Sequence, residues 1–199
     1  SNNREVLAKP VSFIVELNGK RVSWKPKRRK WLKRNEAVAE WQVEGASENL
    51  DMFVRTKMEF DGCIMHFVTL RAKSDVSVKD IRLEVPIRKE VAVYMMGMGR
   101  RGGKRPREWH WRWDEKRPNN MVWIGDWDAG LQIKLVEALD VWHCQVVNFK
   151  PPKSWCNEGK GGCYIGETED AFLVRAYSGE RKMSKGETIE FIFRFLITP

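Results

Sequence analysis

The chain has 199 residues, of which 42% are hydrophobic, and this length allows one large domain or at most two small ones. No stretch approaches the roughly 20 consecutive apolar residues of a membrane-spanning helix, so the sequence offers no candidate transmembrane helix and we expect no membrane partner. The net charge of +9 favours nucleic acid, anionic lipid or acidic polysaccharide partners without choosing among them.

The first elements in the chain are predicted to be short strands joined by tight turns. Val11–Leu17 has the composition of a strand, and Asn18-Gly19, a strong two-residue hairpin signal, follows it. Arg21–Trp24 is then the partner strand.

The stretch 25–34 is densely basic and is broken by Trp31 and Leu32. Aromatic residues interleaved with basic ones are typical of nucleic-acid binders. They are equally typical of a charged edge strand that blocks aggregation. In an all-β chain without a recognised nucleic-acid fold we prefer the edge, and nucleic acid is the less favoured partner.

The middle of the chain predicts a run of further strands. Leu50–Phe60 leads through the turn Asp61-Gly62 to 63–70, where His66 lies in an apolar strand and is expected to be a packed core residue. Val76–Ile87 alternates strictly between apolar and polar residues, and this alternation indicates a half-buried strand.

Gly97–Asn120 is a long Gly-, Arg- and Trp-rich segment. Loops of this length in compact domains are usually functional or disordered, and the tryptophans argue against disorder. A phosphate-binding loop is excluded because Pro106 and a tryptophan run follow the glycines, where a nucleotide site needs a helix.

Trp109, Trp111 and Trp113 recur at period two, so on an extended strand they share one face. Such indoles can stack on sugars or bases, with nearby arginines supplying planar donors. The alternative, which we prefer narrowly, is an indole ladder that fixes the loop to the domain.

The segment 121–135 predicts one more hairpin, in which Asp126 and Asp128 flank Trp127 at the tip. Two nearby carboxylates can act as acid and base in glycoside cleavage. Acidic residues are also common in turns, where they bind their own backbone, and we favour that role.

The cysteines give no cofactor or metal site. Cys156 and Cys163 bracket a polar loop that a disulfide could close, although two free thiols are the preferred alternative. His143 and Cys144, together with these two cysteines, lack the Cys-x-x-Cys knuckle of a zinc site. We therefore predict no metal and no cofactor. Later strands are predicted at 141–149, 164–166, 171–177 and 187–197.

Many short strands with turn signals between them predict an all-β fold, a large antiparallel β-sandwich that could be of the supersandwich type. Three strings carry a family resemblance: Met-Met-Gly-Met-Gly-Arg-Arg-Gly-Gly-Lys-Arg-Pro from Met95, Trp-His-Trp-Arg-Trp-Asp from Trp109, and Val-Trp-Ile-Gly-Asp-Trp-Asp-Ala-Gly-Leu-Gln from Val122. They resemble a β-sandwich domain of uncharacterised proteins that are similar to glycoside hydrolase family 123.

This resemblance implies a domain without catalytic residues, which precedes a (β/α) barrel carrying the catalytic carboxylates. We therefore expect residues 1–199 to be a single sandwich domain excised from a longer chain, with the missing barrel as a partner. A disulfide between Cys156 and Cys163 would suit an exported protein, and we expect export to the periplasm or the cell exterior. The expected function is to support the barrel and to contact glycan. The candidate glycan contacts are Arg100, Arg101, Arg105, Trp109, Trp111, Trp113, Trp123, Asp126, Trp127 and Asp128.

Three alternatives to the accessory domain stay open at this point. They are a free-standing carbohydrate-binding module, a nucleic-acid-binding sandwich, and a small hydrolase that uses Asp126 and Asp128. The hydrolase requires both carboxylates to face one cleft.

Overall fold

A computed structural model describes residues 4–114, 116–137 and 151–198. These residues form fifteen β-strands, one short α-helix and one 3₁₀-helix at Asn157–Gly159. The strands are β1 Ser12–Leu17, β2 Lys20–Arg21, β3 Lys25–Arg34, β4 Val38–Ala46, β5 Leu50–Glu59, β6 Cys63–Ala72, β7 Val76–Ile87, β8 Tyr94–Gly97, β9 Glu108–Trp111, β10 Met121–Gly125, β11 Gly130–Val136, β12 Gly162–Glu167, β13 Phe172–Tyr177, β14 Arg181–Met183 and β15 Thr188–Thr198. The helix α1 spans Lys153–Cys156.

The strands form two antiparallel sheets, which confirms the predicted sandwich. The larger sheet has eight strands in the order β3-β4-β5-β6-β15-β11-β10-β8. The smaller sheet has seven, with β2-β1-β7-β13-β12-β9 in line and β14 paired to β7. Among the described residues, no helix is both long and apolar enough to cross a bilayer.

The core lies between the sheets, where alternate residues of facing strands meet. Phe191 and Phe193 of β15 pack there with Phe13 of β1, and all three contact the fully buried Trp155 of α1. The indole of Trp155 also donates a hydrogen bond of 3.2 Å to the carbonyl oxygen of Ile192. The short helix is thus fixed by one large side chain rather than by an apolar stripe of its own.

Most predicted strands are present, with shifted ends. The β1–β2 hairpin forms at Asn18-Gly19, but β2 ends at Arg21. The basic stretch is the edge strand β3, as preferred. The predicted strand 141–149 lies outside the described residues.

The alternation along β7 is not strict, which corrects the sequence interpretation. Its buried residues run Val78, Ile81, Leu83, so the period slips by one at residues 79–80. The pairing of β1 with β7 shifts its register there, between the pairs Glu16–Asp80 and Leu17–Val78. A β-bulge absorbs the extra residue and returns the following apolar side chains to the core.

Cys156 and Cys163 form no disulfide, in agreement with the preferred alternative. Cys163 is fully buried on β12, and burial raises the pKa of its thiol well above the ordinary value. A thiol in this setting is an inert packing group. His143 and Cys144, which were considered and rejected as zinc ligands, lie outside the described residues.

Candidate functional site

The glycine-rich segment closes one side of the sandwich. It connects β8, an edge of the larger sheet, to β9, an edge of the smaller one. Gly99 has a φ of +83°, and a Cβ at this position would lie 2.4 Å from the Trp111 ring. A Cβ on Gly97 would lie 2.2 Å from the carbonyl oxygen of Met121. These glycines therefore permit close packing of the loop against its neighbours.

The three period-two tryptophans point into the molecule. Trp111 and Trp113 belong to the core, with 7% and 3% of their surface exposed, and Trp109 packs against it. The indoles of Trp109 and Trp113 donate hydrogen bonds to the carbonyl oxygens of Met98 and Asn119. This is the ladder that the sequence analysis preferred. Burial removes the indole faces of Trp111 and Trp113 from solvent, so these two offer no stacking platform here. Trp109 is only partly buried, and its contact with glycan stays a prediction.

The arginines of the same loop differ in how many contacts they make with the rest of the domain. Arg105 forms an ion pair of 2.6 Å with Glu167 and lies over the Phe172 ring at 4.3 Å. Arg100 lies over Trp109 at 5.3 Å and donates to the carbonyl oxygen of Lys104. Arg101 is exposed. Glycan contact by these side chains stays a prediction.

The β10–β11 hairpin holds the remaining candidates. Trp123 lies over Gly125 and Gly130, and its indole donates a hydrogen bond of 3.0 Å to the hydroxyl of Thr198. Asp126 accepts hydrogen bonds from the backbone N–H groups of Asp128 and Ala129. This is the turn role expected for Asp126.

Both hairpin carboxylates bind one guanidinium. Arg4 lies 2.7 Å from Asp126 and 3.4 Å from Asp128. Burial alone would raise the pKa of Asp126, but the two backbone N–H groups and Arg4 together hold it below its ordinary value. Asp126 therefore stays ionised at neutral pH, and it is unsuited to the role of general acid.

Trp127 stands at the tip of this hairpin with 83% of its surface exposed, and its ring meets Tyr94 edge to face at 5.3 Å. The same end of the larger sheet carries two more exposed apolar residues. Phe60, in the β5–β6 turn, is 85% exposed, and Ile197, near the end of β15, is 48% exposed. The registers place all three at this end, because Gly62, two residues after Phe60, contacts Ile197, and Leu131, four residues after Trp127, pairs with Ile197. We call Phe60, Trp127 and Ile197 the hairpin-end surface.

A cleft of about 540 Å³ adjoins this surface. Its floor is the inner face of the larger sheet, at Ile64, Leu131 and Phe195. Residues 4–11 form its roof, and Arg4 links that roof to the hairpin tip. The volume lies within the usual range for ligand pockets, and an apolar floor with a few polar rim groups is their usual composition.

Sequence reasoning found Trp127 and the two aspartates but missed Phe60, Ile197 and Arg4. A large aromatic residue directly before the Asp61-Gly62 turn was an available signal, because turn residues are normally polar. Ile197 and Arg4 carried no such signal, since only the fold brings them to this end. In the described part of the chain, no three His, Cys, Asp or Glu side chains gather in a group that could hold a metal ion.

Solved structures with a similar fold include several proteins at very low sequence identity. A heparan sulfate lyase, HepC from Pedobacter heparinus, matches with a TM-score of 0.50 and 9% identity over 92% of this chain and 23% of its own. The Slr1438 protein from Synechocystis sp. PCC 6803 matches with a TM-score of 0.52 and 6% identity over 93% of this chain and 73% of its own.

A GalM/aldose epimerase homologue from C. elegans matches with a TM-score of 0.51 and 6% identity, over 93% of this chain and 78% of its own. The chain thus spans less than a quarter of the lyase. At these identities the likenesses show the fold alone. No curated protein matches the sequence.

One family profile covers the whole chain. It is described as glycoside hydrolase 123, third domain, and it matches residues 1–199. The description numbers this domain third, and the expected position ahead of a barrel stays a prediction. The resemblance seen in the strings from Met95, Trp109 and Val122 is confirmed, and the chain belongs to the glycoside hydrolase 123 third-domain family.

Proposed function

We propose that this chain is a non-catalytic accessory domain of a glycoside-hydrolase-like protein, and that it packs against a neighbouring catalytic barrel through the hairpin-end surface. The observation that carries the proposal is the exposure of Phe60 and Trp127, at 85% and 83%, together with Ile197 at one end of one sheet. Exposed apolar groups that cluster in this way mark interaction sites. The family's description as a third domain implies further domains in the same polypeptide. One of these domains is the partner in this proposal.

The chemistry of the described residues supports a non-catalytic role. Asp126 and Asp128, the acid–base pair of the hydrolase alternative, share Arg4, and Asp126 is also bound to its own turn. A glycosidase needs one carboxyl group that keeps a proton and another that faces the sugar. Ion pairing to a shared arginine opposes the first requirement.

The docking proposal is tested by mixing this chain with the catalytic barrel of the same polypeptide and measuring affinity by calorimetry. We expect the double variant Phe60→Ala, Trp127→Ala to bind about tenfold or more weakly, because buried aromatic anchors dominate interface energies. Phe53→Ala is the matched control. Phe53 is a half-exposed aromatic residue in the middle of β5, seven residues before Phe60. Equal affinities of the double variant and wild type would reject the hairpin end as the docking surface.

Glycan contact at Trp127 is the second candidate, favoured by the polar groups around this indole. Tyr94 contacts the exposed Trp127 ring, and Asp128, the next residue in the chain, forms an ion pair with Arg4. Sugar sites combine an exposed aromatic face with hydrogen-bonding groups. Intrinsic fluorescence is titrated with N-acetylhexosaminide oligomers, neutral oligosaccharides and acidic glycans at two salt concentrations. We expect a saturable shift with one class that Trp127→Ala abolishes and Phe60→Ala preserves. No shift with any class leaves docking as the role of this surface.

A further inference from the structure

The edge strand β3 carries an unusual concentration of positive charge. Seven of its ten residues are basic, and all ten are exposed. They are Lys25, Lys27, Arg28, Arg29, Lys30, Lys33 and Arg34. Of these seven side chains, only Lys27 forms an ion pair with a described residue, at 2.9 Å from Asp51. The charge of β3 is therefore largely uncompensated within the domain.

The pairing with β4 sorts these cations between two faces. Arg28 and Lys33 lie opposite Glu44 and Glu40 on the outer face. Arg29 lies opposite Val43, Trp31 opposite Trp41, and Arg34 opposite Ala39, on the face that continues into the core. We call Arg29, Trp31, Arg34 and Trp41 the basic face.

A β-bulge determines which cation joins the basic face. Simple alternation from Trp31 would place Lys33 beside it. The register of β3 with β4 shifts between Trp31 and Lys33 and brings Arg34 to that face instead. The guanidinium groups of Arg29 and Arg34 both approach the Trp31 ring, at 5.9 and 5.5 Å. Two planar, permanently charged donors thus flank one indole, which is 46% exposed.

The part of β4 and β5 that lies beside the basic face carries no acidic residue. Trp41 meets Trp31 edge to face at 5.7 Å. The registers place only uncharged residues of β4 and β5 on this face: Ala39, Val43, Gly45, Met52, Val54, Thr56 and Met58. An anion that approaches here meets guanidinium donors and indole edges, and neither β4 nor β5 places a carboxylate on this face, whereas on the outer face it meets Glu40 and Glu44.

We propose that the basic face binds the anionic groups of an acidic polysaccharide, a chain carrying carboxylates or sulfates, through residues that are not part of the hairpin-end surface. Arginine forks suit both groups because they donate two parallel hydrogen bonds. A polysaccharide is favoured over nucleic acid because single-stranded nucleic acids are bound by successive stacking platforms, and this face offers one exposed indole. The choice of a glycan rests on the proposed function, because it follows from membership in a glycoside hydrolase family.

The experiment compares two variants of equal net charge. The first double variant, Arg29→Glu, Arg34→Glu, reverses the two charges of the basic face. The second, Lys182→Glu, Lys185→Glu, reverses two exposed lysines, one in β14 and one in the turn that follows β14. Affinity for a sulfated polysaccharide, a uronic-acid polysaccharide and a single-stranded oligonucleotide of similar charge is measured at two salt concentrations. We expect at least one polysaccharide to bind tenfold more weakly to the arginine variant and less than threefold more weakly to the lysine variant. Arg29→Gln, Arg34→Gln gives an intermediate loss and shows that the effect does not come from introduced acid.

Three outcomes would overturn the proposal. Equal losses in the two charge-reversed variants mean that diffuse net charge is responsible. Tighter binding of the oligonucleotide than of either polysaccharide means that the face serves nucleic acid. No binding of either polysaccharide by the wild-type chain means that the face is only a charged edge. Because Trp127→Ala leaves the basic face intact, failure at the hairpin end and failure here give separate results.

Discussion

Replacing Trp155 with alanine is expected to lower the free energy of unfolding by about 3–5 kcal/mol, the range for removal of a large aromatic side chain from a core. Trp155 is fully buried, and its ring contacts Phe13, Phe191 and Phe193. Its loss leaves a cavity between the sheets and removes the hydrogen bond to Ile192. The short helix α1 then has no other buried side chain to hold it.

Urea unfolding followed by circular dichroism measures this effect, with Trp127→Ala as the matched control. The two variants lose the same atoms, but Trp127 is 83% exposed, so its removal is expected to change stability by less than about 0.5 kcal/mol. In thermal unfolding the Trp155 variant should melt roughly 10 °C lower, because a domain of this size loses about 2–4 °C per kcal/mol. Similar unfolding curves for the two variants would contradict the assignment of Trp155 as a core anchor.

The fold could be predicted from the sequence because its signals are local. Asn18-Gly19 and Asp61-Gly62 both form the predicted turns, and the apolar spacing of 76–87 gives β7 with the predicted ends. Such signals depend on residues that are neighbours in the chain. The bulge in β7 had a local signal that was missed, since the adjacent polar residues Lys79-Asp80 interrupt the alternation. The pairing with β1 shows the shift in register that results.

The site was harder to predict because burial depends on distant partners. Trp109 and Trp111 have the same spacing whether the face that they share meets solvent or a core. What decides is the pairing of β9 with Cys163 and Ile165 of β12, more than fifty residues away, and the approach of Gly99 to the Trp111 ring. The hairpin-end surface has the same property, because only the order of strands in the sheet brings Phe60 and Ile197 to the same end.

For the edge strand β3, composition predicted the charged edge but not which residues share a face. The basic stretch at 25–34 was expected to be a charged edge, and β3 is that edge. Composition could not separate the two faces of the strand, because alternation fails at a bulge. The register with β4 is what places Arg29 and Arg34 together beside Trp31.

His66 makes the stability of this domain depend on pH in a predictable direction. The ring lies on Phe193 at 4.7 Å, and its Nδ1 is 3.0 Å from the hydroxyl of the buried Thr56. Burial lowers the pKa of His66 to about 4, whereas an unfolded histidine titrates near 6.5. Between these values the unfolded chain binds a proton that the folded chain does not, so stability falls as the pH decreases.

We expect the free energy of unfolding to drop by roughly 3 kcal/mol between about pH 7 and pH 4 from this residue alone, because each pH unit between the two pKa values contributes about 1.4 kcal/mol. Above pH 7 both states are neutral at this ring, and the contribution is flat. The measurement is urea unfolding at several pH values for the wild type and for His66→Gln, whose amide can still bind Thr56. Subtracting the two curves removes the carboxylates that titrate in the same range. A difference that does not vary with pH would mean that the ring is solvated and titrates normally. A difference that grows toward pH 4 would establish a neutral histidine packed at the inner face of the larger sheet.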